Sequence, residues 1–422
     1  MGLLETLGLV LLQVIQLSGT ILSSPIFWIV VGVIAYQYAR MGQVKAYLFG
    51  IKDNSVIRVT LVSTLLGIVA GLFGSLLMVL FGITLPEEGL YYILLLAVLL
   101  MLIHPRLLCF AYAGGFLSLT SLAIGFPNFN VPHLMALVAV LHMVESILIR
   151  LSGHLDALPI YTRNAEGQGI GGFNLQKFWP VPLIVLTIYG GTGGEGTGIA
   201  MPDWWPLLKP IGLDPENTII GLAPAVVGLG YGELALTVTP GQRGRRSAWT
   251  LGLYSLILLG LALIASYYSW LSWAAAVFAP LGHELVINRS QREEMEGSPR
   301  FIPSRRGLRV LDVVRPSPAY TAGLRSGDII KEVGGIPVRS MFELTQILSI
   351  SPNPVPISFW RIDESSDQQP SEKIHWGLLH QVPKTDIGII PVPGYEVDRY
   401  LDFQYSSRLS RWLSHWLQKR VN

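Results

Sequence analysis

The sequence predicts a mostly α-helical protein with a polytopic helical membrane domain, then a small cytoplasmic α+β domain, then a C-terminal amphipathic helix. Three observations predict this order. The 422-residue chain is 51% hydrophobic and only 14% charged, with a mean hydropathy of +0.48, which is typical of membrane proteins. The residues from Asn288 onward hold 18 of the 30 Lys and Arg side chains. After Arg306, long apolar runs give way to short alternating ones with turn residues between them.

Ten apolar segments are candidate spanning helices, because a helix needs ~20 apolar residues to cross the hydrocarbon core. They are Leu3 to Ile21, Pro25 to Ala39, Val56 to Gly82, Leu90 to Leu102, Leu107 to Ile124, Val131 to Leu151, Phe178 to Tyr189, Thr218 to Val238, Ala248 to Tyr267 and Ser269 to Ile287. The second, fourth and seventh are short enough to be re-entrant. We therefore expect a membrane domain of about 8–10 helices over residues 1–287 and a linker over 288–304.

Basic residues collect in alternate gaps between these segments, around Arg40, Arg106, Arg150 and Arg243, whereas an intervening gap is acidic at Glu87. Cytoplasmic loops of membrane proteins carry an excess of Lys and Arg. The pattern predicts a multi-pass cell-membrane protein with both termini in the cytoplasm.

Gly67, Gly71 and Gly74 form a stripe of small residues in the third segment. Small residues at three- and four-residue spacing allow two helix backbones to approach closely. We expect this stripe to be a helix-packing surface.

Five ionisable residues lie in or beside apolar segments, where burial in hydrocarbon is costly. They are His142, Glu145, Glu233, His283 and Glu284. His283 and Glu284 begin an HE pair, but the second histidine of a zinc-protease HExxH motif is missing. We expect these residues to form hydrogen bonds between helices, with a transport pathway as the alternative, and we expect no metal site and no cofactor.

Other features restrict the function further. The single cysteine, Cys109, excludes an intrachain disulfide, and the net charge of +2 gives no reason to expect nucleic-acid binding. No Ser-Lys or Ser-His-Asp arrangement accompanies the soluble part. The chain is therefore predicted not to be an enzyme.

The soluble part alternates strand and turn signals. RGLRVLDVV predicts a strand, PSPAYTAGL a turn and short helix, SGDIIKEVGGIPV a turn, a strand and a glycine turn, and SMFELTQILSIS a helix. PVPISFWR and EKIHWGLL predict two further strands around a polar hairpin. These elements predict a domain over residues 305–384 with one helix along a sheet.

This order resembles a bacterial PDZ domain, through the segments from Gly307 to Val310, Pro318 to Leu324, Gly327 to Ile330 and Gly335 to Val338. PDZ domains bind a peptide as an added strand. We place the groove between an exposed strand from Leu308 to Val314 and the following helix. Its residues are Gly307, Leu308, Arg309, Val310, Phe342, Thr345 and Leu348. The alternative is that the chain's own tail fills the groove.

The last region, residues 385–422, is predicted to be a linker and a basic tail helix. In SSRLSRWLSHWLQKR, Leu and Trp recur at helical spacing, with Arg, Lys and His between them. Such a helix fits the anionic inner leaflet of the lipid bilayer, and docking on the PDZ-like domain is the alternative.

A polytopic part joined to one cytoplasmic PDZ-like domain resembles the MinJ-type division-site topology proteins of Gram-positive bacteria. Two phrases, GYGELALTVTPGQRGRRSA and FAPLGHELVI, are similar to membrane proteins of this kind. The resemblance implies a non-enzymatic adaptor that links a curvature-sensing coiled-coil protein at poles and septa to the membrane-bound ATPase of the Min system. It implies division or polar proteins as partners, with homo-oligomerisation possible. The alternative is a membrane enzyme, similar to a degenerate site-2 protease, or a transporter, either one regulated by the PDZ-like domain.

Overall fold

The membrane part is mostly helical in the computed structural model, which describes residues 3–51, 55–85, 89–164, 166–190, 204–209, 218–363, 371–380, 387–394 and 400–401. Its helices are α1 Leu3–Ser23, α2 Pro25–Phe49, α3 Val56–Phe81, α4 Gly89–Ile103, α5 Phe110–Ile124, α6 Val131–Ser152, α7 Pro240–Ala265 and α8 Leu271–Glu296. Among these, α3, α6 and α7 are long and apolar enough to cross a membrane. Residues Gly8–Ser23 and α2, bent by 66° at the break between them, have the length and composition for a fourth span. The predicted tail helix lies outside the described residues.

Two of the ten predicted helices are strands. Phe178 to Tyr189 lies in β3 (Gly169–Gly190), and Thr218 to Val238 begins with β4 (Thr218–Ala235); the two strands pair antiparallel along their length. For Phe178 to Tyr189 the prediction was wrong because a short apolar run, buried on both faces from Trp179 to Thr187, has no periodicity that separates strand from helix. The same sheet contains β1 (Thr84–Leu85), parallel to β3, and β2 (Leu158–Arg163), antiparallel to it.

Prolines in β3 are consistent with its pairing. On one edge of β3, β2 pairs with residues 169–174 and β1 with residues 186–187. Pro180 and Pro182 lie between these two pairings, where helix α3 contacts β3 on one side and β4 pairs with it on the other. A proline is tolerated where no ladder hydrogen bond is needed from its nitrogen. The two prolines disfavour a regular helix, but they are compatible with this strand.

The glycine stripe of α3 packs against β3. A Cβ atom on Gly71 would lie 2.0 Å from the carbonyl oxygen of Pro182, and one on Gly67 would lie 2.2 Å from that of Pro180. No side chain fits at either position without separating two backbones. The stripe thus allows close approach as expected, but its partner is a strand and not a second helix.

The C-terminal domain is a sheet with one long helix. Its elements are β5 Leu308–Val313, α9 Pro318–Thr321, β6 Ile329–Val333, β7 Ile336–Pro337, α10 Met341–Ile350, β8 Val355–Asp363, β9 Ser371–Leu379 and β10 Ile389–Pro391. The strand order is β10-β5-β6-β8-β9, with β7 paired to β6. Because β10 belongs to this sheet, the predicted boundary at residue 384 is too early. The predicted linker over 288–304 likewise overlaps α8, which continues to Glu296.

A buried ion pair stabilises the turn before β6. Asp328 is 2% exposed and accepts hydrogen bonds from the backbone N–H of Arg325 (2.8 Å) and from the guanidinium of Arg361 (2.6 and 2.9 Å). Gly323 and Gly327 have φ values of +87° and +91°, which favour glycine. The tight turns predicted for this segment are therefore present.

One face of this domain packs on the membrane part. Leu311 and Ile390 are buried in the same apolar cluster as Phe173 of β3. The backbone N–H of Gly171 donates to the carbonyl of Phe301 at 2.8 Å, which links β3 to the segment before β5. The two parts therefore share a continuous apolar interface.

Asp312 lies in β5 at this interface, and its carboxyl is expected to make the stability of the fold depend on pH. Burial raises the pKa of its carboxyl to about 6, while a hydrogen bond from the Val313 backbone and the charges of Lys45 and Arg315 lower it less. The folded chain then holds this proton more tightly than the unfolded chain, whose Asp pKa is about 3.9. The stability that protonation contributes is fully present below about pH 4 and is lost as the pH rises through about 6.

We expect Asp312→Asn to remove this slope. The measurement is the thermal unfolding temperature of the full chain in detergent between pH 5 and pH 7.5. The same pH slope in the wild type and the variant would contradict the assignment of the effect to this carboxyl.

Candidate functional site

The strand predicted to border the peptide groove is an interior strand of the sheet. β5 pairs with β6 through Leu308↔Ile330 and with β10 through Val313↔Ile389. Both edges of its backbone are therefore hydrogen-bonded, and it cannot accept a peptide as an added strand. The expectation of an exposed strand from Leu308 to Val314 was wrong, because the short strand β10 was not recognised in the sequence.

Several predicted groove residues belong to the domain core instead. Leu308, Val310 and Leu348 are 6%, 0% and 5% exposed and lie in one apolar cluster. Their side chains hold α10 against the sheet. Substituting them would test folding before it tested binding.

The other predicted groove residues have different surroundings. A Cβ atom on Gly307 would lie 2.1 Å from the carbonyl oxygen of Ile330, so Gly307 allows close packing of β6. Arg309 donates a hydrogen bond to the carbonyl of Arg300 at 3.0 Å. Phe342 is 69% exposed and lies two residues from the fully buried Leu344, on the opposite side of α10.

Among the described residues, β10 is the edge strand of the sheet on the side of α10. The carbonyl of Gly388 accepts from Val314 N–H, and Val392 N–H donates to Arg309, both at 2.9 Å. Since successive residues of a strand alternate in direction, the N–H and C=O of Ile389 face away from β5. Ile389 is the position at which a peptide strand can pair.

One face of α10 lies over the same core. Met341, Thr345 and Leu348 are spaced at i, i+4 and i+7 and so share a helix face. Met341 and Ile387 are partly buried against the cluster that contains Leu348 and Ile389. We call the space between β10 and this face of α10 the β10 groove, bordered by Ile387, Ile389, Met341, Thr345 and Leu348.

The five predicted intramembrane residues fall into separate groups. Glu233, at the end of β4, accepts hydrogen bonds from Arg243 Nε (2.7 Å) and from the hydroxyls of Ser247 and Ser290. Arg243 is 2% exposed and also contacts Glu294 Oε1 at 3.2 Å. This group, the Arg243 cluster, joins β4, α7 and α8.

Glu284 belongs to a second group. It accepts from Arg106 at 2.9 Å, from the Tyr112 hydroxyl at 2.5 Å and from Asn288 at 3.0 Å. These contacts connect α8 to the segment before α5 and to α5 itself. They agree with the expected role in contacts between helices.

His142 and His283 meet at Cys109. The Cys109 Sγ atom lies 3.0 Å from His142 Nε2 and 3.5 Å from His283 Nε2. Cys109 was not predicted as a site residue because its partners lie 33 and 174 positions away along the chain. The available signal in the sequence was that one cysteine and two histidines all lie in apolar segments. We call these three residues the Cys-His cluster.

A cavity of about 500 Å³ adjoins both the Cys-His cluster and the Arg243 cluster. Its lining includes Glu145 and the β4 residues from Gly228 to Leu234. Within the described part of the chain, Glu145 has no hydrogen-bond or ion-pair partner. The cavity therefore combines a thiol, two imidazoles and an unpaired carboxyl inside the membrane part.

Comparison with known proteins supports the two resemblances. Residues 309–359 match the model of the PDZ domain. The chain is 25% identical over 219 residues to the cell division topological determinant MinJ of Bacillus subtilis strain 168, an alignment that covers 51% of this chain and 52% of MinJ. The chain thus spans about half the length of this curated relative. The predicted PDZ domain and the predicted similarity to MinJ are confirmed.

Proposed function

We propose that this chain is a membrane adaptor that recruits a protein partner through the β10 groove, in division-site selection or in polar and septal organisation. The observation that carries the proposal is the open edge at Ile389 beside an apolar helix face. An edge strand provides backbone hydrogen bonds for affinity, and neighbouring side chains select the ligand. The division role is supported by the similarity to a protein whose name describes a cell division topological determinant.

The docked position of the domain limits the length of a bound peptide. The carbonyl of Pro391 already accepts a hydrogen bond from the Tyr161 hydroxyl of β2 at 2.8 Å. Strand pairing is therefore available mainly at Ile389, and the side-chain pocket beside α10 must supply most of the selectivity. We infer that the ligand is a short extended segment with an apolar residue.

The orientation follows from the same arrangement. The β3–β4 hairpin replaces two predicted helices, and two crossings are an even number, so this change leaves the predicted side of both termini as it was. Arg163 precedes this hairpin and Arg243 follows it, so both of its ends are on the basic side. We infer a multi-pass protein with both termini and the β10 groove in the cytoplasm. Lipid contacts of the tail and homo-oligomerisation stay predictions.

Thr345→Lys is expected to lower partner binding at least about tenfold, which corresponds to ~1.4 kcal/mol. Thr345 is exposed on the groove face of α10, so a lysine there obstructs the groove without disturbing the core. Ile350→Lys is the matched control, because Ile350 is 78% exposed and lies about 140° around the same helix from Thr345. The measurement is quantitative crosslinking and pull-down of the full chain from membranes.

Equal losses in both variants would show that the effect comes from α10 in general. Unchanged binding in Thr345→Lys would remove the β10 groove as the recruiting surface. Either result contradicts the proposal.

A further inference from the structure

The Cys-His cluster has the composition and spacing of a metal site. We propose that Cys109, His142 and His283 bind a zinc ion inside the membrane part. Neither the PDZ domain nor the adaptor function requires such a site. Zinc favours thiolate and imidazole ligands, and three protein ligands leave one position for water or another ligand.

The distances agree with this assignment. In a tetrahedral site with Zn–S of about 2.3 Å and Zn–N of about 2.0 Å, sulfur and nitrogen ligands lie ~3.5 Å apart. The two S···N distances here are 3.0 and 3.5 Å, and all three ligand atoms lie within 4.8 Å of one another. Small shifts of the side chains are enough to accommodate the ion.

The hydrogen bonds of His142 leave the correct nitrogen free. Its Nδ1 atom lies 2.7 Å from the carbonyl oxygen of Val138, which can only accept, so Nδ1 carries the proton. Nε2 then presents its lone pair to the cluster. Metal-binding histidines commonly donate their second nitrogen to a backbone carbonyl in this way.

His283 provides an independent indication. It is 9% exposed, and its Nδ1 has no hydrogen-bond partner among the described residues, so its ring nitrogens contact the protein only at Cys109. A buried polar group with so few partners is unfavourable. Ligation through Nε2 would give the ring a strong interaction in place of the single 3.5 Å contact to Cys109, and Nδ1 would then carry the proton.

The three ligands come from different elements. Cys109 immediately precedes α5, where its sulfur accepts from Ala111 N–H at 3.4 Å, while His142 lies on α6 and His283 on α8. A bound ion would therefore join three helices. The adjoining cavity gives access, and Glu145, one helical turn after His142, lines it.

The first test uses the wild-type chain in detergent, since Cys109 is its single cysteine. The rate of thiol alkylation is measured after treatment with a chelator and again after addition of Zn²⁺. We expect Zn²⁺ to slow alkylation at least tenfold and the chelator to restore it. An alkylation rate that does not respond to Zn²⁺ would overturn the proposal and leave a hydrogen-bonded Cys-His group.

The second test measures metal content after Zn²⁺ loading and dialysis. We expect about one equivalent in the wild type and a loss of at least tenfold in Cys109→Ser, His142→Gln and His283→Gln. His104→Gln is the matched control, because His104 lines the same cavity but lies outside the cluster. Full zinc retention in all three cluster variants would overturn the proposal, as would a zinc loss in the control equal to theirs.

Discussion

Arg243→Ala is expected to lower the free energy of unfolding by about 3–5 kcal/mol, because it leaves buried carboxylates without their cation. Glu294 is 3% exposed and holds the backbone N–H groups of Leu236 and Thr237 at 2.6 and 2.8 Å. Without Arg243, its charge would be buried beside β4 with no guanidinium to compensate it. The measurement is thermal and denaturant unfolding of the full chain in detergent.

Arg245→Ala is the matched control. Arg245 lies two residues away on the same helix and is exposed, so its removal is expected to change stability by less than about 0.5 kcal/mol. Equal effects of the two substitutions would show that the buried contacts of Arg243 add nothing to stability beyond the loss of one positive charge. A stable Arg243→Ala protein would contradict the described geometry.

Gly71→Ala is expected to separate β3 from α3 and to cost about 1–3 kcal/mol or more. The added methyl group would meet the Pro182 carbonyl oxygen at 2.0 Å, and a backbone atom cannot rotate away as a side chain can. The unfolding temperature in detergent should fall. Amide hydrogen exchange along β3 should rise.

Gly260→Ala on α7 provides the control for this second prediction. No atom lies within 4 Å of a Cβ added there, and alanine favours a helix over glycine by roughly 0.5–1 kcal/mol. That variant should be as stable as the wild type or more so. If Gly71→Ala were equally neutral, the close contact between α3 and β3 would be wrong.

Most helices of the membrane part were predictable because hydrocarbon imposes a long apolar run on each. Segments such as Val131 to Leu151 agree with the observed α6 within one residue. The β3–β4 hairpin was not predictable by the same rule, since Phe178 to Tyr189 has the composition of a short buried helix. Its two prolines were the available signal against a helix.

The candidate sites were less predictable than the fold. The PDZ motifs identified the domain but not its edge, because β10 follows the expected boundary and is only three residues long. Thr345 keeps its predicted place beside the groove, whereas Phe342, one helical turn earlier, is 69% exposed. The Cys-His cluster depends on contacts between residues far apart in sequence, which spacing along the chain does not reveal.

Site-specific photocrosslinking in living cells tests whether the β10 groove recruits the partner. A photoreactive amino acid replaces Thr345 in one chain and Ile350 in another, and the crosslinked proteins are identified by mass spectrometry. The β10 groove predicts a discrete adduct with a division or polar protein at position 345 and none at 350. No adduct at 345, or the same adducts at both positions, would contradict recruitment through this groove.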